Sequence, residues 1–343
     1  AVQIFNSIYE AGAPDPNALV LLLLAMVAVI YYGAKLILGR GGHEMMARSV
    51  QAPAGRRAGA AATFACWMLF GAVILAAAMP HLMVILTSFS DQWSGTVLPP
   101  ILTTAHHREA LSHDLTLPSI RNSFFYSLAA TGLCAVVAIW VAQLLVRRRF
   151  LGRHLLDAMV MLPLAIPGLV LAFGYLNCYY GIGKHLVDWG LWSRNYLYPE
   201  ANPILLLIVA YAVRRLPYMV RSAVAGLQQT SRTLEEASLN VGASPLRTLL
   251  RITVPLVAAN LIAGGILVFT FSMLEVSDSL VLAKTREFYP LTKAIWQMFT
   301  DEFRTFQYAV SSALGVWAMV LLAVSLLVSS RLLGRKMGAI FRA

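Results

Sequence analysis

Two carboxylates lie at the end of an apolar segment of this chain. Glu275 and Asp278 are three residues apart and follow the apolar run 252–274. A carboxylate at the depth of a membrane span is by default a functional hypothesis, and oxygen ligands suit a hard metal cation. Phenolate oxygens for the same cation are available from Tyr175, Tyr179 and Tyr180. The alternative is that both carboxylates are solvated at the outer edge of a span.

A second apolar segment is interrupted by prolines. Pro163 and Pro167 lie four residues apart, and Gly168 follows them. Proline leaves backbone carbonyls without a helical partner, which is tolerated at membrane depth only beside protein or a cavity. The pattern indicates either a gate that lines a pore or a kink that serves packing.

The segment 233–255 reads TLEEASLNVGASPLRTLLRITVP. Thr233 and Glu236 have the spacing of a capping box, which predicts a short helix after them. Gly242 then supplies the left-handed turn that ends many helices. The first half of the segment therefore predicts one helical arm.

The second half of the segment predicts another arm. Ser244 can cap a helix whose first residue is Pro245, and Arg247 lies on its face. Pro255 is expected to begin the next span. Together the two arms predict a helix–glycine–helix elbow at residues 233–250, a rigid projection that suits contact with a partner.

The composition places these elements in a membrane. Of the 343 residues, 59% are hydrophobic and 13% are charged, and the mean hydropathy is +0.69; the charged share is about half that of a soluble domain. Such a chain is not a soluble enzyme, a disordered regulator or a disulfide scaffold. Its three cysteines indicate neither a disulfide framework nor a metal site. The net charge of +11 is expected to set membrane orientation rather than to bind nucleic acid.

Charge placement decides the number of spans. The seven predicted spans are 18–38, 63–90, 122–146, 158–183, about 203–221, 252–274 and 305–330. The fifth is weak because Arg214 and Arg215 interrupt it. With this span included, most of the 27 Lys and Arg residues lie on the inner side, whereas without it the two sides are nearly equal. The positive-inside rule therefore predicts seven spans, with the N-terminus outside and the C-terminus in the cytoplasm.

The beginning of the chain resembles its end. A short helix, a polar turn, one span and an inner arginine occur in the same order twice, so that Arg40 corresponds to Arg331. We interpret residues 1–40 as the last helix of a preceding copy of the same unit. The remaining predicted regions are a cytoplasmic linker at 41–57, a six-helix core at 58–333 and a basic cytoplasmic tail at 334–343.

The elbow carries a resemblance to a known family. Glu236-Ala237-Ser238 is followed after three residues by Gly242, and then after nine residues by Ile252-Thr253-Val254-Pro255. This pattern resembles the EAA motif in the membrane subunits of binding-protein-dependent ABC importers. Ser238 and Val254 depart from the usual alanine and leucine, and both are small or apolar exchanges.

This resemblance implies an all-α, polytopic fold whose six core helices form a type I ABC permease in the bacterial inner membrane. It implies partners: a cytoplasmic ATPase dimer, an extracytoplasmic substrate-binding protein, a second permease unit and lipid. ATP is then used by the partner subunit, and no cofactor or ATPase site of this chain is expected, in agreement with the lack of a phosphate-binding loop motif. The residues to which docking on the ATPase is carried over are Glu235, Glu236, Ala237, Gly242, Ser244, Pro245 and Arg247.

Further residues resemble one branch of the family. Leu162-Pro163, Ile166-Pro167-Gly168 and Arg215-Leu216-Pro217 look like permeases for ferric iron, thiamine, phosphonates and sulfate. Fused two-unit permeases occur among the iron-type members, and Glu275 matches an acidic position found there. Ferric iron is the expected substrate. The expected pathway residues are Pro163, Pro167, Gly168, Tyr175, Glu275 and Asp278.

A rival class is the ion-coupled secondary transporter. It would need buried ionisable groups within its spans, for which only His81, Glu275 and Asp278 are candidates. A membrane-bound enzyme is disfavoured because the sequence contains no reaction motif.

Overall fold

A computed structural model describes residues 59–91, 93, 95–191, 201–300 and 307–340, together with isolated positions between 18 and 33. For residues 332–340 it describes the backbone alone. The predicted linker at 41–57 and most of the predicted tail of a preceding unit at 1–40 lie outside the described residues.

The described residues fold into helices. In chain order these are α1 (Ala60–Phe89), α2 (Ala105–Ser112), α3 (Thr116–Arg147), α4 (Arg153–Ala165), α5 (Gly168–Asp188), α6 (Ile204–Gln229), α7 (Arg232–Asn240), α8 (Pro245–Thr248), α9 (Val254–Met273), α10 (Ser277–Leu282), α11 (Leu291–Phe299) and α12 (Gln307–Ile340). A π-helical turn at Leu249–Thr253 joins α8 to α9, and a short 3-10 turn lies at Arg286–Phe288. The predicted all-α class is confirmed.

Four helical segments in the described part are long and apolar enough to cross a membrane: α1, α3, the continuous helix Pro245–Met273 and Gln307–Arg331 of α12. Helices α4 and α5 qualify only as a pair, and they are bent by 109°. Helix α6 does not qualify, because every 18-residue stretch within it contains Arg214, Arg215 and Arg221. The polytopic membrane architecture stands, and the count of seven spans stays a prediction.

Helices α3, α6 and α9 pack together at the centre of the fold. The buried face of α3 is built from small side chains spaced four residues apart, among them Ala130, Cys134, Ala138 and Ala142, each 0% exposed. Small side chains let helices approach closely where water does not drive association. The approach brings the Cys134 thiol 3.1 Å from the carbonyl oxygen of Ala212 in α6.

Helix α12 packs against α1, α2 and α11, beside the central group of α3, α6 and α9. The most apolar stretch of α1 has none of its residues buried, and its Trp67 side chain is 75% exposed. Helix α1 therefore presents an apolar surface outward, as expected of a helix surrounded by lipid.

The chain bends sharply between α4 and α5. Pro163 lies inside α4, which continues to Ala165, so the prediction that Pro163 interrupts a helix is wrong. The break lies at Ile166 and Pro167, where Ile166 is extended (φ −91°, ψ 130°). Proline disfavours helical backbone at the residue before it; Ile166 adopts the extended conformation that this restriction favours, whereas Leu162, before Pro163, stays helical.

The close approach of α6 and α9 predicts an effect of small substitutions. A Cβ atom at Gly264 would lie 2.8 Å from the Ser222 side chain, whereas one at Gly132 would meet nothing within 4 Å. We expect Gly264→Ala to destabilise the purified protein by about 1–3 kcal/mol through overpacking, and Gly132→Ala to leave it unchanged or slightly more stable. Thermal unfolding in detergent measures both, and equal melting temperatures would contradict the packing described.

Candidate functional site

The elbow begins with α7. Ser231 is its N-cap, and the Ser231 Oγ accepts a hydrogen bond from the backbone N–H of Thr233 at 3.3 Å. The predicted capping box of Thr233 and Glu236 is therefore wrong. The Glu236 carboxylate pairs instead with Arg232 one turn earlier, at 3.0 Å.

The turn of the elbow has the predicted local structure. The backbone of Gly242 is in the left-handed conformation, with φ 88°, which residues with a Cβ atom rarely adopt. The Ser244 Oγ accepts a hydrogen bond from the backbone N–H of Arg247 at 3.3 Å, and Pro245 is the first residue of α8. The Ser238 and Thr248 hydroxyls, 3.0 Å apart, join the two arms.

The second arm is continuous with a span. Helix α8, the π-helical turn and α9 form one helix, Pro245–Met273, so the helix of this span begins ten residues before Pro255, where the sequence predicted its start. Pro255 has no N–H to donate to the preceding turn, and the wider π-helical turn lies directly before it. The second arm and α9 are therefore parts of one continuous helix.

Glu235 fixes the first arm to the core. Its carboxylate accepts hydrogen bonds from Arg147 Nε at 3.1 Å and from the Thr253 hydroxyl at 3.2 Å. Arg147, the last residue of α3, also donates to the Thr230 hydroxyl at 3.0 Å. The side chains of Arg147 and Glu235 are each only 13% exposed. This ion pair holds α7 against the end of α3 and the start of α9.

The opposite surface of the elbow faces outward. The side chain of Glu236 is 54% exposed, and Val241 is 85% exposed. On the side of the elbow that faces α3, a cavity of about 460 Å³ lies between the elbow and the end of α3, and Trp140, Arg147 and Glu235 line part of it. Exposed apolar residues of the elbow are Leu234, Leu239, Val241, Leu246 and Leu250. Of the residues predicted to dock, Glu235 is held in the core contact, and the exposed ones are Glu236, Ala237, Gly242, Ser244, Pro245 and Arg247.

A second cluster of ionised residues lies inside the helix bundle. Arg214, near the middle of α6, is 8% exposed. Its Nη2 lies 2.6 Å from Asp278 Oδ1, and its Nε lies 3.0 Å from Asp278 Oδ2. The same Nη2 donates to the Gly168 carbonyl oxygen at 2.8 Å. One guanidinium thus contacts the first residue of α5 and the first turn of α10.

Glu275 completes the cluster in the break between α9 and α10. One carboxylate oxygen accepts hydrogen bonds from the backbone N–H groups of Ser277, at 3.0 Å, and Asp278, at 3.3 Å. The other oxygen pairs with Arg215 and lies 3.5 Å from Arg214 Nε. Glu275 therefore binds two backbone N–H groups at the start of α10 and pairs with both arginines.

The structure places the two arginines and the two carboxylates of this cluster differently from the sequence-based expectation. The charge count assigned Arg214 and Arg215 to the inner side, and the carboxylates were expected near the outer mouth. All four meet within the bundle, and Glu275 is 4% and Asp278 0% exposed. Two cations balance two anions, and removing one partner of such a buried pair costs about 3–5 kcal/mol. In this arrangement neither carboxylate has an oxygen free for a cation, and no group of three or more His, Cys, Asp or Glu in the described residues could hold a metal ion.

Two other expected pathway residues lie beside this cluster. A Cβ atom at Gly168 would collide with the Arg214 guanidinium and would lie 2.7 Å from the Ser277 Cβ, so only glycine fits there. The Tyr175 hydroxyl is buried and has no hydrogen-bond partner among the described residues. Pro163, inside α4, does not reach the cluster by any contact that the structure records.

The far end of α10 is held by Lys293 of α11. Its ammonium donates to the carbonyl oxygen of Leu280 at 3.1 Å and lies 5.5 Å from the centre of the Tyr289 ring. Burial, with a smaller contribution from Lys284, lowers the pKa of Lys293 to about 8. Helix α10 is therefore fixed at both ends.

Sequence reasoning did not identify Arg214, Arg215 or Arg147 as site residues. Arg214 and Arg215 were treated as an interruption of a weak span, although arginines inside an apolar helix themselves require buried partners. That requirement, combined with the unexplained Glu275 and Asp278, was the signal available for pairing them.

Comparison with known proteins agrees with this fold. The sequence model of the family described as "Binding-protein-dependent transport system inner membrane component" matches residues 134–339. The ferric transport system permease protein FbpB of Actinobacillus pleuropneumoniae is 30% identical over 171 residues, which are 49% of this chain and 23% of that protein. The match thus spans about a quarter of that relative.

Two further comparisons extend the match. The molybdate/tungstate transport system permease protein WtpB of Methanocaldococcus jannaschii is 27% identical over 222 residues, which are 65% of this chain and 83% of that protein. The crystal structure of a bacterial alginate ABC transporter, in complex with an alginate-bound periplasmic protein, contains a chain with the same fold. The TM-score is 0.59 at 15% identity, and the alignment covers 79% of this chain and 95% of that one. With the family match extending over more than half of its length, this chain belongs to the binding-protein-dependent transport system inner membrane components.

Proposed function

We propose that this chain is the permease subunit of an ATP-driven importer and that residues 233–250 transmit force from a cytoplasmic ATPase dimer. The main support for this proposal is the way in which the elbow is placed. Its buried carboxylate, Glu235, ties it to the core, while Glu236 and apolar side chains face outward. An element fixed on one side and exposed on the other is suited to receive a rigid partner.

The continuity of the elbow with a span supports a mechanism. Movement of the ATPase would displace α8, and the helix Pro245–Met273 would carry the displacement over its 29 residues, about 43 Å at 1.5 Å per residue. This helix ends at Met273, two residues before Glu275 of the buried cluster. Alternating access then follows if two such units enclose the pathway and closure of the ATPases reverses which side is open. ATP is bound by the partner subunit in this mechanism.

The proposed orientation puts the elbow in the cytoplasm. The C-terminal end of α12 lies on the same side, and the N-terminus of the chain outside, as the distribution of arginines favours. The extracytoplasmic partner is a substrate-binding protein, in keeping with the alginate importer, whose structure includes a periplasmic protein. A second permease unit and lipid complete the proposed surroundings.

Ferric iron is the proposed substrate. The ferric permease relative supports it, as does the likeness of residues 162–168 and 215–217 to iron-type permeases. Thiamine, phosphonate or sulfate-like solutes are the alternatives, and the molybdate/tungstate permease relative supports an oxyanion such as sulfate. The pathway is proposed to include Pro167, Gly168 and Tyr175 beside the cluster, and Pro163 in the preceding helix.

Substitutions in the elbow test the coupling. Gly242→Val forces a branched side chain into a left-handed turn, whereas Gly242→Asn places there a residue that tolerates it. We expect Gly242→Val and Glu236→Lys to leave membrane insertion intact and to reduce ATP-dependent uptake at least about tenfold, the change expected from weakening an interface by about 1.4 kcal/mol or more. Gly242→Asn is the matched control and should stay near the wild-type rate. Normal uptake by Gly242→Val and Glu236→Lys would refute the coupling role.

The two neighbouring glutamates are expected to behave differently. Glu235→Gln removes the charge that pairs with the largely buried Arg147 and should destabilise the protein by about 1–3 kcal/mol. Glu236→Gln removes a largely exposed charge and should leave the unfolding temperature unchanged. Thermal unfolding of the purified variants measures the difference. A loss of stability in Glu236→Gln equal to that in Glu235→Gln would be inconsistent with the ion pair between Glu235 and Arg147 as the contact that holds α7.

Uptake measurements test the substrate and the energy source together. Proteoliposomes containing the full-length permease, its ATPase and its binding protein should take up radiolabelled ferric iron only when ATP is supplied. Sulfate, a phosphonate and thiamine are the comparison solutes. Uptake of one of these in place of iron would reassign the substrate, and uptake driven by an ion gradient without ATP would favour a secondary transporter.

A further inference from the structure

Two helix breaks meet inside the bundle. The first lies between α4 and α5 at Ile166 and Pro167, and the second lies between α9 and α10 at residues 274–276. Helices α5 and α10, which begin at these breaks, pack against each other. A Cβ atom at Gly168 would approach the Ser277 Cβ to 2.7 Å, so the first residues of the two helices are in direct contact.

One side chain bonds to both of these helix starts. Arg214 donates to the Gly168 carbonyl at 2.8 Å and to the two oxygens of Asp278 at 2.6 and 3.0 Å. A guanidinium presents its donors in a fixed plane, so these bonds define the position of α5 and α10 relative to α6. A lysine ammonium could keep the charge but could not reproduce the planar fork.

The neighbouring arginine has a different environment. Arg215 contacts Glu275 through Nη2, and its guanidinium carbon lies 5.6 Å from the centre of the Phe271 ring. Its Nε is buried without a hydrogen-bond partner in the described residues. Glu275 also has Arg214 and two backbone N–H groups around it. The contact of Arg215 with Glu275 thus uses one N–H donor and the positive charge, and not a planar pair of N–H donors.

We propose that Arg214 is a positioning residue for transport, which makes α5, α6 and α10 move as one unit when α9 is displaced. This inference rests on the proposed function, because α9 brings the force from the elbow. Without the fork, α9 can move while the two helix breaks fail to follow, so that ATP is hydrolysed without transport. Arg214 acts through Gly168 and Asp278 and is not assigned a contact with substrate.

The same substitution at adjacent positions tests the proposal. Arg214→Lys and Arg215→Lys each keep the net charge of the cluster, and both are assayed in the full-length chain with its ATPase and binding protein in proteoliposomes. The readout is substrate transported per ATP hydrolysed. We expect Arg214→Lys to lower this ratio at least about tenfold, since misplacement by about 1 Å can reduce a rate by two orders of magnitude. Arg215→Lys should stay within about twofold of wild type.

A purely structural role gives a different result. It would reduce transport and ATP hydrolysis in parallel with the amount of folded protein and leave their ratio unchanged in Arg214→Lys, which would overturn the proposal. If Arg214→Lys does not fold, the electrically balanced pair Arg214→Gln with Asp278→Asn replaces it, and a normal ratio there overturns the proposal equally. A wild-type chain that shows no ATP-dependent transport would refute the proposed function itself, whereas normal coupling in both lysine variants refutes only the positioning role.

Discussion

The Arg214 guanidinium is 8% exposed within an apolar helix bundle, and an ionised group in such a place must be paired and hydrogen-bonded. Its partners come from two other parts of the chain, Asp278 and the Gly168 carbonyl. This requirement determines several features that otherwise look unrelated. Residue 168 must be glycine, α10 must begin within reach of α6, and Glu275 must balance the second arginine. Because burying charges costs desolvation energy, a network of this kind adds little net stability.

The cluster and the elbow are connected by a single helix. The continuous helix Pro245–Met273 begins at the exposed turn that Gly242 forms and ends beside Glu275. At its first end, the Glu235 carboxylate joins the elbow to Arg147 of α3 and to Thr253 just before α9. At its other end, Arg215 pairs with Glu275, and Arg214 bonds to the starts of α5 and α10. The proposed transport mechanism depends on the Arg147–Glu235 pair, which joins the elbow to α3, and on Arg214, which joins α5 and α10 to α6.

The sequence predicts features that depend on neighbouring residues. The left-handed Gly242, the cap at Ser244 and the start of α6 at about residue 203 follow from local backbone rules. Two errors are local: Ser231, not Thr233, caps α7, and Pro163 is accommodated inside α4. The larger omission arises where tertiary contacts decide. The partners of Arg214 and Arg215 are 46 to 64 residues away in sequence, and periodicity does not reveal such pairs.

Cross-linking at the exposed turn tests the central claim most directly, that the elbow is the surface on which an ATPase docks. Val241 is 85% exposed on the elbow, and Val97 is 90% exposed in the loop between α1 and α2. Each is replaced singly by cysteine in a chain whose Cys66, Cys134 and Cys178 have been substituted, and a photoreactive group is attached to the thiol. In membranes that contain the assembled transporter, Val241→Cys should cross-link to the ATPase subunit, with a yield that changes when ATP is added, and Val97→Cys should not. An ATPase adduct at Val97→Cys with none at Val241→Cys would contradict this account.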